Sequence, residues 1–131
     1  MPKAMCIKSM LNMVNGFEEE NEKFKEELST LQNVKTRSNI CGYMKINNES
    51  ITTLQEWITT FEEMDSSDKT KYVGKLIDLC YWHCQGFEKA IDDKRYEMKR
   101  MKDGWFQNGE LKALMKSKTK FKNLGKKFGG K

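Results

Sequence analysis

The chain has 131 residues, of which 37% are hydrophobic and 33% charged, and its formal net charge is +5 at pH 7. This length predicts one domain, which buries enough apolar surface to fold without disulfides or a structural metal. No run approaches the roughly 18 consecutive apolar residues of a membrane span, so no spanning segment is expected. The N-terminus shows no secretory signal pattern, and we expect an intracellular protein, cytoplasmic or nuclear, with reduced thiols.

A heptad pattern predicts helix 1 from Lys3 to about Lys35. Alternate spacings of three and four residues place its a and d positions on one narrow seam, which needs a partner helix. That partner is expected to be helix 3 or a second copy of the chain in a homodimer. Asn21, the one polar residue of the seam, either pairs with a facing Asn across a parallel dimer or faces solvent. The candidate dimer seam comprises Ile7, Met10, Val14, Phe17, Asn21, Phe24, Leu28 and Leu31.

Residues 36–48 are predicted to form a loop, because Ser38-Asn39, Gly42 and Asn47-Asn48 are typical of turns. Helix 2 is predicted from Asn48 to Met64, where apolar residues recur at helical spacing.

Helix 3 is predicted from Asp68 to about Lys102, with a second heptad seam. Helix 4, from Glu110 to about Asn123, is shorter and rich in lysine, and residues 125–131 are expected to form a flexible Gly/Lys tail. The single proline, Pro2, interrupts no helix interior. The predicted fold is therefore all-α, a single helical domain over residues 1–124. It is an elongated helical bundle of three main helices, with long heptad-patterned helices 1 and 3, plus a short basic C-terminal helix.

Cys80, His83 and Cys84 share one face of helix 3, and Cys41 could supply a further metal ligand. Zinc takes such Cys and His ligands in a tetrahedral arrangement. Strong zinc signatures carry two paired knuckles, however, and this segment has only half of that pattern. We therefore expect small core cysteines beside a partly buried histidine, with no metal and no cofactor.

Charge is strongly segregated along the chain. Residues 1–93 carry 11 basic and 16 acidic side chains, a net of −5, whereas residues 94–131 carry 13 basic and 3 acidic side chains, a net of +10. Lysine and arginine interleaved with aromatic residues suit a phosphate backbone, because they neutralise phosphates and release counterions. The candidate nucleic-acid-binding residues are Lys94, Arg95, Lys99, Arg100, Lys102, Trp105, Lys112, Lys116, Lys120 and Lys127.

No motif of an enzyme active site is present, so a non-enzymatic function is predicted. The leading prediction is a nucleic-acid-binding protein that contacts the RNA or DNA duplex backbone with little sequence specificity. Its small, helical, dimeric and basic build is similar to that of viral proteins that sheathe double-stranded RNA. The alternative is a protein-interaction module that docks a partner helix through the seam of helix 1.

Overall fold

A computed structural model describes residues 2–130 and contains four helices. They are α1 (Pro2–Thr30), α2 (Val34–Glu63), α3 (Thr70–Met98) and α4 (Trp105–Lys127), and no strand occurs within the described residues. At ~1.5 Å per residue they are about 35–45 Å long. The all-α class is confirmed. The prediction of three main helices with a short fourth is wrong, because all four are long.

The predicted loop at residues 36–48 is wrong, because these residues form the first half of α2. Asn33 caps the helix, its side chain accepting a hydrogen bond of 3.1 Å from the amide of Thr36. Residues typical of turns are tolerated here because they make contacts between helices. Gly42 and Asn47 are both buried, and such tertiary contacts override the weak preference of a single residue for turns.

Helix α1 ends at Thr30 rather than at the predicted Lys35. The Arg37 guanidinium donates hydrogen bonds to the carbonyl oxygens of Leu28 and Leu31, the latter at 2.8 Å. These bonds satisfy carbonyl oxygens that have no partner at the end of a helix, and they stabilise the turn that leads into α2.

Helix α4 begins at Trp105 and ends at Lys127, so the prediction of a short helix from Glu110 to Asn123 is wrong. Gly109, a residue type typical of turns, lies inside the helix, because this glycine packs directly against α2. Gly125, where the tail was predicted to start, is buried in the last turn of α4. Its carbonyl oxygen accepts a hydrogen bond of 2.9 Å from the Gly130 amide. The last predicted tail residue, Lys131, lies outside the described residues.

The four helices form two antiparallel hairpins, α1–α2 and α3–α4. In the first hairpin Lys3 donates to the carbonyl oxygen of Met64 at 2.7 Å, and in the second Lys118 pairs with Glu88 at 3.0 Å. The largest contact between the hairpins is made by α2 and α4, which run parallel to each other. Helices α1 and α3 contact each other less extensively.

Two glycines allow α2 and α4 to come into backbone contact. A Cβ atom on Gly42 would overlap the carbonyl oxygen of Phe106, and a Cβ atom on Gly109 would overlap that of Asn39. Further along the same interface, the hydroxyls of Ser50 and Ser117 are 3.5 Å apart. Small residues at these positions are therefore a requirement of the packing.

These contacts reveal an approximate two-fold repeat. Residues 39, 42 and 50 of α2 correspond to residues 106, 109 and 117 of α4, each 67 positions later, and the contacts are reciprocal as in a symmetric dimer. Helices α1 and α3 correspond with a shift of 70 positions. The sequence Gly-Phe-Glu occurs at residues 16–18 and again at 86–88, and residues 11–30 and 81–100 share the same burial pattern. The chain thus resembles two hairpins paired as a dimer would pair them.

A single apolar core lies between the hairpins and is rich in aromatic side chains. Phe17 and Phe121 are almost fully buried, with ring centroids 6.5 Å apart. His83 packs against Phe121 and Phe87 at centroid distances of 4.5 and 4.4 Å, and against Trp57 at 5.4 Å. The wide apolar faces of all four helices converge on this cluster.

Candidate nucleic-acid interface

The candidate dimer seam of α1 packs largely inside the single chain. Met10, Val14 and Phe17 are buried in the core, and Ile7 packs against it from a partly buried position. The other seam residues are also used within the chain: Phe24 packs edge-to-face on Tyr43 at 5.1 Å, while Leu28 and Leu31 are half-buried. The seam's need for a partner helix is therefore met by the chain itself, and a homodimer stays a prediction.

Asn21 is buried, and its partners belong to α2. Its side-chain amide donates to Asn48 at 2.9 Å, and its carbonyl oxygen accepts from Asn47 at 2.9 Å. Asn47 also donates to Glu20 at 2.8 Å. Buried amides are stable when hydrogen-bonded in this way. The two sequence-based alternatives, a facing Asn across a dimer and an exposed position, are both replaced by this intrachain network.

The candidate zinc ligands do not come together. Within residues 2–130, no three His, Cys, Asp or Glu side chains are placed to hold a metal ion. Cys80 and Cys84 are buried free thiols, and burial raises the pKa of Cys80 to about 12. Cys41 is exposed on α2. Burial lowers the pKa of His83, whose Nε2 atom has no hydrogen-bond partner among the described residues.

Two of the predicted nucleic-acid-binding lysines are held in ion pairs. Lys94 is mostly buried and pairs with Glu110 at 3.1 Å, and Lys45 pairs with the same carboxylate at 3.0 Å. Burial by itself lowers the pKa of Lys94, but hydrogen bonds and charge attraction from Glu110 and Glu97 together raise it. Lys116 pairs with Glu20, and this hydrogen bond is the main reason that its pKa is raised. Lys94 and Lys116 are thus each already paired with a carboxylate.

The remaining cations at the end of α3 are exposed. Helix α3 ends at Met98 rather than near the predicted Lys102, so Lys99, Arg100 and Lys102 lie in the linker to α4. Hydrogen bonds between residues three apart, from the amides of Arg100 and Met101, tighten the chain into a turn there. With Lys35 of α2, Arg95 of α3 and Lys112 of α4, we call this set the cationic end: Lys35, Arg95, Lys99, Arg100, Lys102 and Lys112.

Aromatic side chains lie among these cations. Trp105 is 40% exposed, and the Lys35 ammonium lies 5.0 Å from its ring centroid. Tyr96 is 60% exposed, and the Arg100 guanidinium lies 4.8 Å from its ring centroid. Lys35 was not among the predicted residues. It belongs to this surface only because α2 packs against α4, and the sequence does not show that contact.

Exposed lysines continue along the outer face of α4. Lys112, Lys122 and Lys126 are all exposed, and Lys112 and Lys126 are separated by 14 residues, or about 21 Å. Acids occur beside them on α3, where Glu88 pairs with Lys118 at 3.0 Å. Lys122 and Lys126 were noted in the sequence only as part of a lysine-rich segment.

Lys120 and Lys127 lie on a different side of α4, which faces α1. The Lys120 ammonium is 4.4 Å from the ring centroid of Phe17, and Lys127 donates to the hydroxyl of Ser9 at 3.0 Å. Burial is the largest cause that lowers the pKa of Lys120. Both side chains line a groove between α1 and α4, the α1–α4 groove.

Helix α1 carries six acidic residues, more than any other helix. Glu18, Glu19, Glu22 and Glu26 line a groove between α1 and α2.

Comparison of the chain with family models, curated proteins and solved structures finds no match. None of the helices in the described part of the chain is both long enough and apolar enough to cross a membrane.

Proposed function

We propose that the protein binds the phosphate backbone of nucleic acids through the cationic end and the outer face of α4. The observation that carries the proposal is the cationic end itself: exposed cations of α2, α3, the linker and α4 belong to it, and the Lys35 ammonium lies 5.0 Å from the ring centroid of Trp105. Phosphate contacts of this kind supply affinity and little sequence specificity. Nucleic-acid binding without an enzymatic activity is thus the function that this geometry supports best.

The length of the surface supports the same proposal. The ~21 Å between Lys112 and Lys126 corresponds to about six phosphate steps of one strand at ~3.4 Å each. Half-exposed aromatic rings add a stacking surface for unpaired bases or for the end of a duplex. Acids near the surface are partly neutralised, since Glu88 and Glu97 already pair with lysines.

The test measures binding of fluorescently labelled RNA and DNA, duplex and single-stranded, as a function of salt. Wild-type affinity is expected to fall steeply with salt. In the variant with Arg95, Lys99 and Lys102 replaced by Glu, log affinity is expected to fall less steeply with log salt. The magnitude of the slope is expected to decrease by about 2.7, since each lost phosphate contact contributes ~0.9. The matched control replaces Lys23, Lys69 and Lys71 by Glu, which changes net charge equally on exposed positions elsewhere.

Absence of binding at low salt would overturn the proposal, and so would equal losses in the two triple variants. Equal losses would mean that net charge alone, rather than this surface, attracts the polyanion. Circular dichroism of both variants checks that each remains folded.

A further inference from the structure

The α1–α4 groove has the features of a small-molecule site. Its volume is about 420 Å³, within the range of ligand pockets in proteins. Its floor is apolar, formed in part by Met13 and Leu124, and its walls carry Lys120 and Lys127. Nothing lies within 4 Å of a Cβ atom built on Gly16, so the groove is open at this position of α1.

The charge of Lys120 is incompletely compensated in this groove. Its ammonium lies over the Phe17 ring and is partly removed from water. Glu20 attracts it electrostatically, but that carboxylate hydrogen-bonds to Lys116 and Asn47 instead. A desolvated cation without a hydrogen-bonded anion is unfavourable and is stabilised when an anion binds beside it.

The two-fold repeat provides an internal comparison for the groove. The positions equivalent to Met13 and Leu124 in the other half of the chain are His83 and Trp57, by the shifts of 70 and 67 residues. There the two rings contact each other at 5.4 Å and fill the space between α2 and α3.

The residues that line the walls of the groove also differ from their equivalents in the other half of the repeat. Asn12 in the groove corresponds to Trp82, and Lys120 corresponds to Thr53. In one half of the repeat the His83 and Trp57 rings therefore fill this space, although Trp82 itself is exposed. In the other half the groove is lined by smaller polar groups and lysines. Close packing favours filling such a space, so the unfilled half is the one available to a ligand.

We propose that the α1–α4 groove binds a small organic phosphate monoester with an apolar or aromatic body. The two lysines suit a phosphate group, which carries close to two negative charges and offers three acceptor oxygens. Ser9 and Asn123 add hydroxyl and amide groups to the same walls. The apolar floor accommodates the body of the ligand. The site is separate from the cationic end, and the proposal does not rest on nucleic-acid binding.

The test is calorimetric titration of the full chain with phenyl phosphate, with inorganic phosphate and benzoate as comparison ligands. Phenyl phosphate is expected to bind saturably with one site per chain, and more tightly than either comparison ligand. Lys120→Met is expected to weaken this binding roughly tenfold, the equivalent of one charge-assisted hydrogen bond.

A pair of glycine variants isolates the groove itself. Gly16→Leu places a side chain in the groove and is expected to weaken phenyl phosphate binding roughly tenfold or more, because it competes for the same volume. Gly86→Leu is the matched control, since Gly86 is the repeat-equivalent residue on α3 and also has nothing within 4 Å of its Cβ position. It is expected to leave the affinity unchanged. Thermal unfolding of both variants checks their fold.

Four results would overturn the proposal: no saturable binding of phenyl phosphate, equal binding of benzoate, full affinity in Lys120→Met, or equal effects of Gly16→Leu and Gly86→Leu. The triple variant at Arg95, Lys99 and Lys102 keeps the two proposals distinguishable. It is expected to weaken nucleic-acid binding while retaining full phenyl phosphate binding.

Discussion

Replacing Gly42 by Ala is expected to destabilise the protein through the α2–α4 contact. The added methyl group would overlap the carbonyl oxygen of Phe106 and would lie 2.9 Å from the carbonyl carbon and 3.1 Å from the Glu110 amide nitrogen. These atoms belong to a helix backbone and cannot rotate away. The two helices must instead separate by on the order of 1 Å, a gap that forfeits about a quarter to a half of each dispersion contact across it.

The expected net loss follows from two opposing contributions. Overpacking of a core costs about 1–3 kcal/mol and more when backbone must move, whereas Gly→Ala in a helix interior contributes about 1 kcal/mol of stability. Taking the middle of the overpacking range, we therefore expect Gly42→Ala to lower the free energy of unfolding by about 1 kcal/mol. The measurement is urea-induced unfolding followed by far-ultraviolet circular dichroism.

The control for this prediction is Gly86→Ala on α3. A Cβ atom at Gly86 meets nothing within 4 Å, so only the helix-propensity gain remains, and stability is expected to rise by up to about 1 kcal/mol. If Gly42→Ala proved as stable as the wild type, the close approach of α2 and α4 would be refuted.

Two further predictions concern titratable groups in the core. Burial lowers the pKa of His83 in the folded state, so the unfolded chain binds a proton more readily than the folded chain. The free energy of unfolding is therefore expected to fall as pH falls below about 6.5, by at most ~1.4 kcal/mol per pH unit. Urea unfolding from pH 8 to pH 5 should show this loss for wild type, and His83→Phe should reduce it; an unchanged pH profile in the variant would contradict the assignment. For the thiols, burial raises the pKa of Cys80 to about 12 and also raises that of Cys84, while Cys41 is exposed. A thiol-reactive dye at mildly alkaline pH is therefore expected to label Cys41 first, and the buried cysteines are expected to react only after unfolding. Peptide mass spectrometry identifies the labelled residues. Early labelling of Cys80 would show that this thiol is not buried.

The internal repeat offers an explanation for the seam of α1 that does not require a second copy of the chain. A heptad seam predicts a partner helix but cannot say whether the partner is in the same chain. Here the second hairpin takes the place that a second copy would occupy: Gly42 of α2 lies against Phe106 of α4, and Gly109 of α4 lies reciprocally against Asn39 of α2. The equivalent pairs have diverged in chemistry: Phe24 packs on Tyr43 in one hairpin, and Lys94 pairs with Glu110 in the other.

The sequence by itself determined the helical class and most of the core. Apolar residues at helical spacing identified Met10, Val14 and Phe17 as an inward face, and the structure buries all three. This works because helical periodicity follows from local backbone geometry, which each segment carries on its own. The segregation of positive charge into the last third of the chain is likewise a property of the sequence alone.

Only the tertiary structure decided where turns occur and which charges are free. Gly42 and Gly109 are typical of turns in a single sequence, and they are helical here because another helix backbone lies against each of them. Lys94 and Lys112 look alike in the sequence, yet Lys94 is mostly buried beside Glu110 and Lys112 is exposed. The physical reason is the same in both cases. A residue's role depends on atoms of another helix, and those atoms are brought near only by packing of the helices, within one hairpin for Lys94 and between the two hairpins for Gly42 and Gly109.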